Sequence, residues 1–173
     1  MTKLKNLKYF LLPVGLILVL SFSRLIPHPS NFTPILAVGV FAGFYFRNFI
    51  LSLFIVISSM FIGDLVIGFH NTMIFTYSSL ILAVAIGLLI KKLNYKAVLF
   101  GGLSSSVVFF IVTNFGSWLT LEMYEKNLSG LLQSYFMAIP FFHNTLISTI
   151  IYLIALKLFL EFSIKKKLIN ISA

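Results

Sequence analysis

Asp64 is the first residue of chemical interest, because it is a carboxylate inside an apolar stretch long enough to cross a bilayer. It is the only acidic residue before Glu122. A charge at the centre of a membrane helix costs about 2.5–3.5 kcal/mol on insertion scales, so such residues usually face a cavity, a partner or a substrate path. Asp64 is therefore a candidate for substrate binding. Alternatively, it only pairs with Arg24 or a buried histidine and holds helices together.

Further polar and aromatic candidates lie near the ends of the apolar stretches. A ligand site usually combines an apolar or aromatic lining with a few convergent polar groups. The predicted substrate-binding residues are Asp64, Asn114, Trp118, His28, Asn31, His70, Asn71, Tyr77, His143 and Asn144. In this hypothesis Asp64 and Asn114 form hydrogen bonds with the ligand, while His28 and Asn31 belong to a lid. A planar part of the ligand would stack on Trp118, Tyr77 or Tyr124.

Each of these residues also has a structural interpretation. His28 and His70 could lie at the membrane interface, and Trp118 could belong to the aromatic belt found there. Asn114 and His143 could form hydrogen bonds between helices or to a neighbouring backbone. The sequence leaves both interpretations open.

Several kinds of chemistry lack their usual sequence signatures. The chain contains no H-E-x-x-H, G-x-S-x-G, P-loop or G-x-G-x-x-G motif. It also has no cysteine, which excludes disulfides, thiolate metal sites and thiol nucleophiles. We expect neither an enzyme nor a bound cofactor or metal.

The composition predicts an all-α, polytopic membrane protein. Of 173 residues, 60% are hydrophobic and only 10% are charged, and the mean hydropathy is +1.06. Soluble domains carry about 25% charged residues. The chain is expected to form a single integral membrane domain over residues 1–173. The six predicted transmembrane helices cover about 9–26, 35–46, 49–69, 72–90, 97–119 and 131–160.

Basic residues predict the orientation of these helices. With the amino terminus in the cytoplasm, eleven of the 13 Lys and Arg residues fall on that side, and only Arg24 and Lys126 fall on the other. This bias follows the positive-inside rule, so both termini are predicted to be cytoplasmic and the protein to lie in the inner membrane. It also accounts for the net charge of +9 without a nucleic-acid partner. The first apolar stretch has one alternative, a signal peptide with the small residues 21–23 as its cleavage site.

Two local patterns predict how the first helices are connected and packed. Three prolines between residues 27 and 34 indicate a rigid, partly extended loop. Gly39 and Gly43 form a G-x-x-x-G pattern, which allows another helix to approach closely.

Four stretches resemble a known group of proteins. They are R-L-I-P-H-P-S-N-F-T-P…G-V-F-A-G-F-Y-F (24–46), D-L-V-I-G-F-H-N-T-M-I-F-T-Y (64–77), F-F-I-V-T-N-F-G-S-W (109–118) and Y-F-M-A-I-P-F-F-H-N (135–144). Together they resemble an uncharacterised family of small bacterial six-helix membrane proteins, a domain of unknown function. That family is similar to the substrate-binding S components of energy-coupling factor (ECF) vitamin transporters.

The resemblance implies a six-helix bundle that binds a vitamin-like solute from outside through the proline loop and the outer helix ends. It also implies uptake together with an ECF coupling subunit and two ATPase subunits. The first predicted helix lacks the A-x-x-x-A face with which S components often contact the coupling subunit.

Three functions follow as hypotheses. The leading one is a transport component that binds a small solute from the outer side. The second is a stand-alone, proton-linked secondary carrier with Asp64 as the proton site. The third is a non-transport membrane protein, either a scaffold or an intramembrane enzyme, and the missing catalytic motifs argue against the enzyme.

Overall fold

The computed structural model describes residues 2–166, and the side chains of residues 11–166. Within that range the chain forms seven α-helices and no β-strand. The helices are α1 (Thr2–Leu25), α2 (Ile35–Phe46), α3 (Phe49–Ile67), α4 (Met73–Leu89), α5 (Tyr95–Thr120), α6 (Leu128–Met137) and α7 (Ile139–Lys165). The all-α prediction is confirmed.

Asparagine side chains define three of the helix starts. The side-chain oxygens of Asn48, Asn94 and Asn127 accept hydrogen bonds from backbone N–H groups three residues later, at the starts of α3, α5 and α6. These bonds satisfy donors that have no partner within the helix. Before Asn48, Arg47 has φ 50°, and this left-handed conformation makes the tight turn between α2 and α3.

Three helices are long and apolar enough to cross a membrane: Phe49–Ile67, Tyr95–Thr120 and Ile139–Lys165. Shorter apolar helical stretches cover Leu11–Leu25, Ile35–Phe46 and Met73–Leu89. These helices indicate a membrane protein. The second predicted span, 35–46, coincides with α2.

The sixth predicted span needs correction, because residues 131–160 do not form one helix. α6 ends at Met137, and α7 begins at Ile139 with a proline in its first turn. Pro140 cannot donate a backbone hydrogen bond, but the first turn of a helix requires none from it. The apolar run therefore divides at Ala138 into a short helix and a long one.

α2 forms the centre of the bundle and packs against α3, α4, α5 and α7. Its residues 35–43 are all buried, which explains why so short a helix is almost entirely apolar. A Cβ on Gly43 would overlap the backbone oxygen of Val84, and one on Gly87 would overlap that of Val40. The backbones of α2 and α4 are thus in contact, as the G-x-x-x-G pattern predicted.

The two ends of the bundle differ in chemistry. At one end, Nη1 of Arg47 donates to the backbone oxygen of Leu88, and Nζ of Lys157 lies 4.1 Å from the centroid of the Tyr95 ring. These contacts bring the last part of α7 beside the basic loop between α4 and α5. We call this the basic end. We call the opposite end the polar end. It is formed by loop 26–34, by the ends of α1, α3 and α5 and by the starts of α2, α4 and α7.

Candidate solute-binding cavity

A cavity of about 510 Å³ opens between the helices at the polar end. Its wall is formed by residues of all seven helices, with Met137 from α6, and of the loop that contains the prolines. The volume falls within the range of about 300–1,000 Å³ that is typical of small-molecule sites.

Phenylalanines give the cavity an apolar wall on the α5 and α7 side. Phe109 and Phe110 come from α5, and Phe141 and Phe142 come from the start of α7. The rings of Phe110 and Phe142 contact each other, with centroids 5.0 Å apart. This wall suits an aromatic or other apolar part of a ligand.

Hydroxyl groups supply most of the polar lining. Pairs of hydroxyl residues at spacing four come from α5, from α7 and from the start of α4, where Thr72 is the cap residue before the helix. These six residues are Thr72, Thr76, Thr113, Ser117, Thr145 and Thr149. Because residues four apart lie on the same face of a helix, each pair points in one direction. Thr145 and Thr149 are nearly or fully buried, whereas Thr113 and Ser117 are half-buried and more accessible.

Arg24 is the only arginine, lysine, aspartate or glutamate among the described residues of the lining. Its Nη2 donates to Oδ1 of Asp64 at 2.8 Å, and its Nη1 donates to the backbone oxygen of Met60 at 2.7 Å. The hydroxyl of Tyr77 donates to the second carboxylate oxygen, Oδ2, of Asp64 at 2.8 Å. Both oxygens of Asp64 thus have a partner, and the charge of Arg24 is largely compensated.

Asp64 itself does not line the cavity. Its side chain is completely buried, and the ion pair with Arg24 joins α3 to α1. The contacts correspond to the structural alternative for this carboxylate, in which it pairs with Arg24. Tyr77, the donor to Asp64, likewise lies outside the lining.

Four of the predicted site residues do line the cavity: His28, Asn31, His70 and Asn114. His28 and Asn31 belong to the proline loop, and Asn31 has a left-handed backbone with φ 62°. Nδ1 of His70 lies 2.8 Å from Oγ1 of Thr72 at the start of α4. Nδ2 of Asn114 donates to the backbone oxygen of Phe110 at 2.8 Å.

The remaining predicted residues lie outside the lining. Trp118 donates from Nε1 to the backbone oxygen of Glu125 and packs on Phe115, so it holds the loop after α5. Asn144 donates from Nδ2 to the backbone oxygen of Ser30 at 3.0 Å and fixes the proline loop on α7. Asn71 and His143 are exposed.

The hydroxyl pairs were the feature that the sequence interpretation missed. The signal was present as Thr or Ser at spacing four in three separate apolar stretches. Tyr124, considered only for the aromatic belt or as a stacking surface, also lines the cavity. Within the described part of the chain, no group of three His, Asp or Glu side chains could hold a metal ion.

Comparison with known protein families gives a match over most of the chain. The model of a family described as "Family of unknown function (DUF6580)" matches residues 4–170. No curated protein and no solved structure matches the chain.

Proposed function

The chain belongs to this family of unknown function, and we propose that it is a transport component of the inner membrane that binds a small, vitamin-like solute. The expectation of an uncharacterised family is confirmed. The observation that carries the proposal is the cavity at the polar end, which combines a phenylalanine wall with hydroxyl groups.

The direction of binding is proposed from the charges. Arg47, Lys91, Lys92 and Lys96 lie at or next to the basic end. The positive-inside rule assigns that end to the cytoplasm. The cavity then opens away from the cytoplasm, and all six apolar helical segments cross or enter the bilayer. The solute is taken up from outside.

A binding site alone does not move a solute against a gradient. Since the sequence contains no P-loop, we propose that the energy comes from a partner, as in ECF transporters, where a coupling subunit and two ATPases accompany the S component. The lipid bilayer surrounds the exposed apolar side chains, of which Ile50 and Ile74 are examples.

The proton-linked carrier receives less support from the geometry. A proton site must exchange protons with the transport path, yet Asp64 is fully buried and both of its oxygens have partners. A scaffold would not need a cavity of this size with convergent polar groups.

The test is binding by the full chain purified from its native membranes. Native mass spectrometry is expected to detect a small molecule that copurifies with the protein. Thr113→Phe should fill the cavity and abolish copurification, because Thr113 lines it on α5. Leu119→Phe on the exposed surface of the same helix is the matched control and should retain the molecule. Equal occupancy in both variants would contradict the proposal.

A further inference from the structure

The accessible polar groups of α5 indicate which ligands the cavity selects. Thr113, Asn114 and Ser117 lie within one turn, line the cavity and are half-buried. Each directs a side-chain O–H or N–H into its own helix, and the amide of Asn114 keeps a second N–H that is not used in this bond. The hydroxyl of Thr113 donates to the backbone oxygen of Phe109 at 2.7 Å, and that of Ser117 to the oxygen of Thr113 at 3.0 Å.

Asn114 follows the same pattern. Only the amide nitrogen can donate to the backbone oxygen of Phe110, which lies 2.8 Å away, so this bond fixes the orientation of the amide. Its Oδ1 then points away from that carbonyl and is available as an acceptor. The hydroxyl oxygens of Thr113 and Ser117 keep their lone pairs in the same way.

The cavity therefore presents three acceptor oxygens and one amide N–H, that of Asn114, on α5, together with a phenylalanine wall and little net charge. In its described lining there is no carboxylate to bind a cation. The guanidinium of Arg24, which could bind an anion, already contacts Asp64 and the backbone oxygen of Met60. When a ligand without donors displaces water from the cavity, these acceptors lose the hydrogen bonds that they made with water, and binding is weakened.

On the basis of the proposed function, we infer that the solute is uncharged and has an aromatic body with an edge of N–H donors, such as a carboxamide or an amino-substituted heterocycle. The apolar body packs on the phenylalanines. The donor edge faces the stripe formed by Thr113, Asn114 and Ser117.

Four probes that share a phenyl ring test this class on the full chain in detergent: benzamide, N,N-dimethylbenzamide, benzoate and benzamidinium. Saturation-transfer NMR measures their dissociation constants. Benzamide should bind about tenfold more tightly than the dimethylated amide, which corresponds to one well-formed hydrogen bond. It should also bind more tightly than both charged probes.

Variants locate the effect on α5. The double variant Thr113→Val with Ser117→Ala should weaken benzamide binding about tenfold and leave N,N-dimethylbenzamide unchanged. Thr120→Val is the matched control, since the hydroxyl of Thr120 donates within the same helix but lies outside the cavity lining. Unchanged thermal midpoints show that both variants fold.

The inference would be overturned if benzoate, benzamidinium or the dimethylated amide bound more tightly than benzamide. It would also be overturned if none of the four probes bound. None of these results decides the transport proposal, which depends on the copurifying molecule and on the cavity-filling variant.

Discussion

The side chain of Arg24 lies directly against the Cα of Gly63 and occupies the space that a side chain at position 63 would need. Gly63 precedes Asp64 on α3, so the absence of a side chain there lets the guanidinium cross the helix surface. From that position it reaches the carboxylate of Asp64 and the backbone oxygen of Met60. The ion pair between α1 and α3 thus depends on a glycine.

Gly63→Ala is expected to destabilise the protein by about 1–3 kcal/mol, as overpacking of a filled site does. The new methyl group would overlap Nη1 of Arg24 and lie 3.0 Å from its Cζ. Thermal unfolding in detergent, followed by fluorescence of Trp118, the single tryptophan, measures the change. Gly15→Ala on α1 is the control, because nothing lies within 4 Å of its added Cβ. Equal midpoints for the two variants would mean that Arg24 moves aside without cost.

A double-mutant cycle on the free energy of unfolding tests the structural role of the ion pair between Arg24 and Asp64. Arg24→Gln and Asp64→Asn should each destabilise the protein by about 3–5 kcal/mol, because each leaves a buried charge without its partner. The double variant should lose less than the sum of the two. Tyr77→Phe removes one neutral donor to the carboxylate and should cost less, about 1–3 kcal/mol. Additive losses would show that the two charges do not interact.

The contact between α2 and α4 predicts different effects on stability for alanine substitutions at Gly39 and Gly43, the two glycines of the G-x-x-x-G pattern. Gly43→Ala should cost about 1–3 kcal/mol or more, since its methyl group would overlap the backbone oxygen of Val84. A Cβ at Gly39 would lie 3.4 Å from Cβ of Ala83, close to an ordinary contact, so Gly39→Ala should be tolerated. Unfolding midpoints of the two variants decide this. Similar losses at both positions would contradict the asymmetry.

The proline loop should become more mobile when one of its contacts with α7 is removed. Asn144→Ala deletes the hydrogen bond to the backbone oxygen of Ser30. The long hydrogen bond from the Ser148 hydroxyl to the backbone oxygen of Asn31, at 3.5 Å, and the ring contact between Phe32 and Tyr152 remain. We expect faster amide hydrogen exchange over residues 28–32, measured by mass spectrometry. His143→Ala changes the exposed neighbour and should have no such effect. Equal exchange in both variants would show that the loop is held elsewhere.

The fold was largely predictable from the sequence, because long apolar stretches separated by polar turns predict helices directly. The second predicted span has the bounds of α2. The break at Ala138 was not predictable in the same way. Its neighbours are apolar on both sides, and a proline inside such a run also occurs in kinked membrane helices.

The site was harder to predict because apolar helices do not show which face points inward. α3 carries apolar residues on most faces, so no polar stripe separates its interior side from its surface side. Trp118 is an example: its direction is set by the backbone oxygen of Glu125 in the following loop. Asp64 and Arg24 are 40 residues apart in sequence, and only the packing of α1 on α3 brings them together.

Orientation in the membrane can be tested on this chain with little background, because it contains no cysteine. Glu122→Cys places a thiol in the loop after α5 at the polar end, and Lys92→Cys places one in the loop before α5 at the basic end. Both positions are exposed. In intact bacterial cells a membrane-impermeant maleimide should label position 122 and should reach position 92 only after the cells are broken. The reverse pattern would place the cavity on the cytoplasmic side, and uptake from outside would then be the wrong function for it.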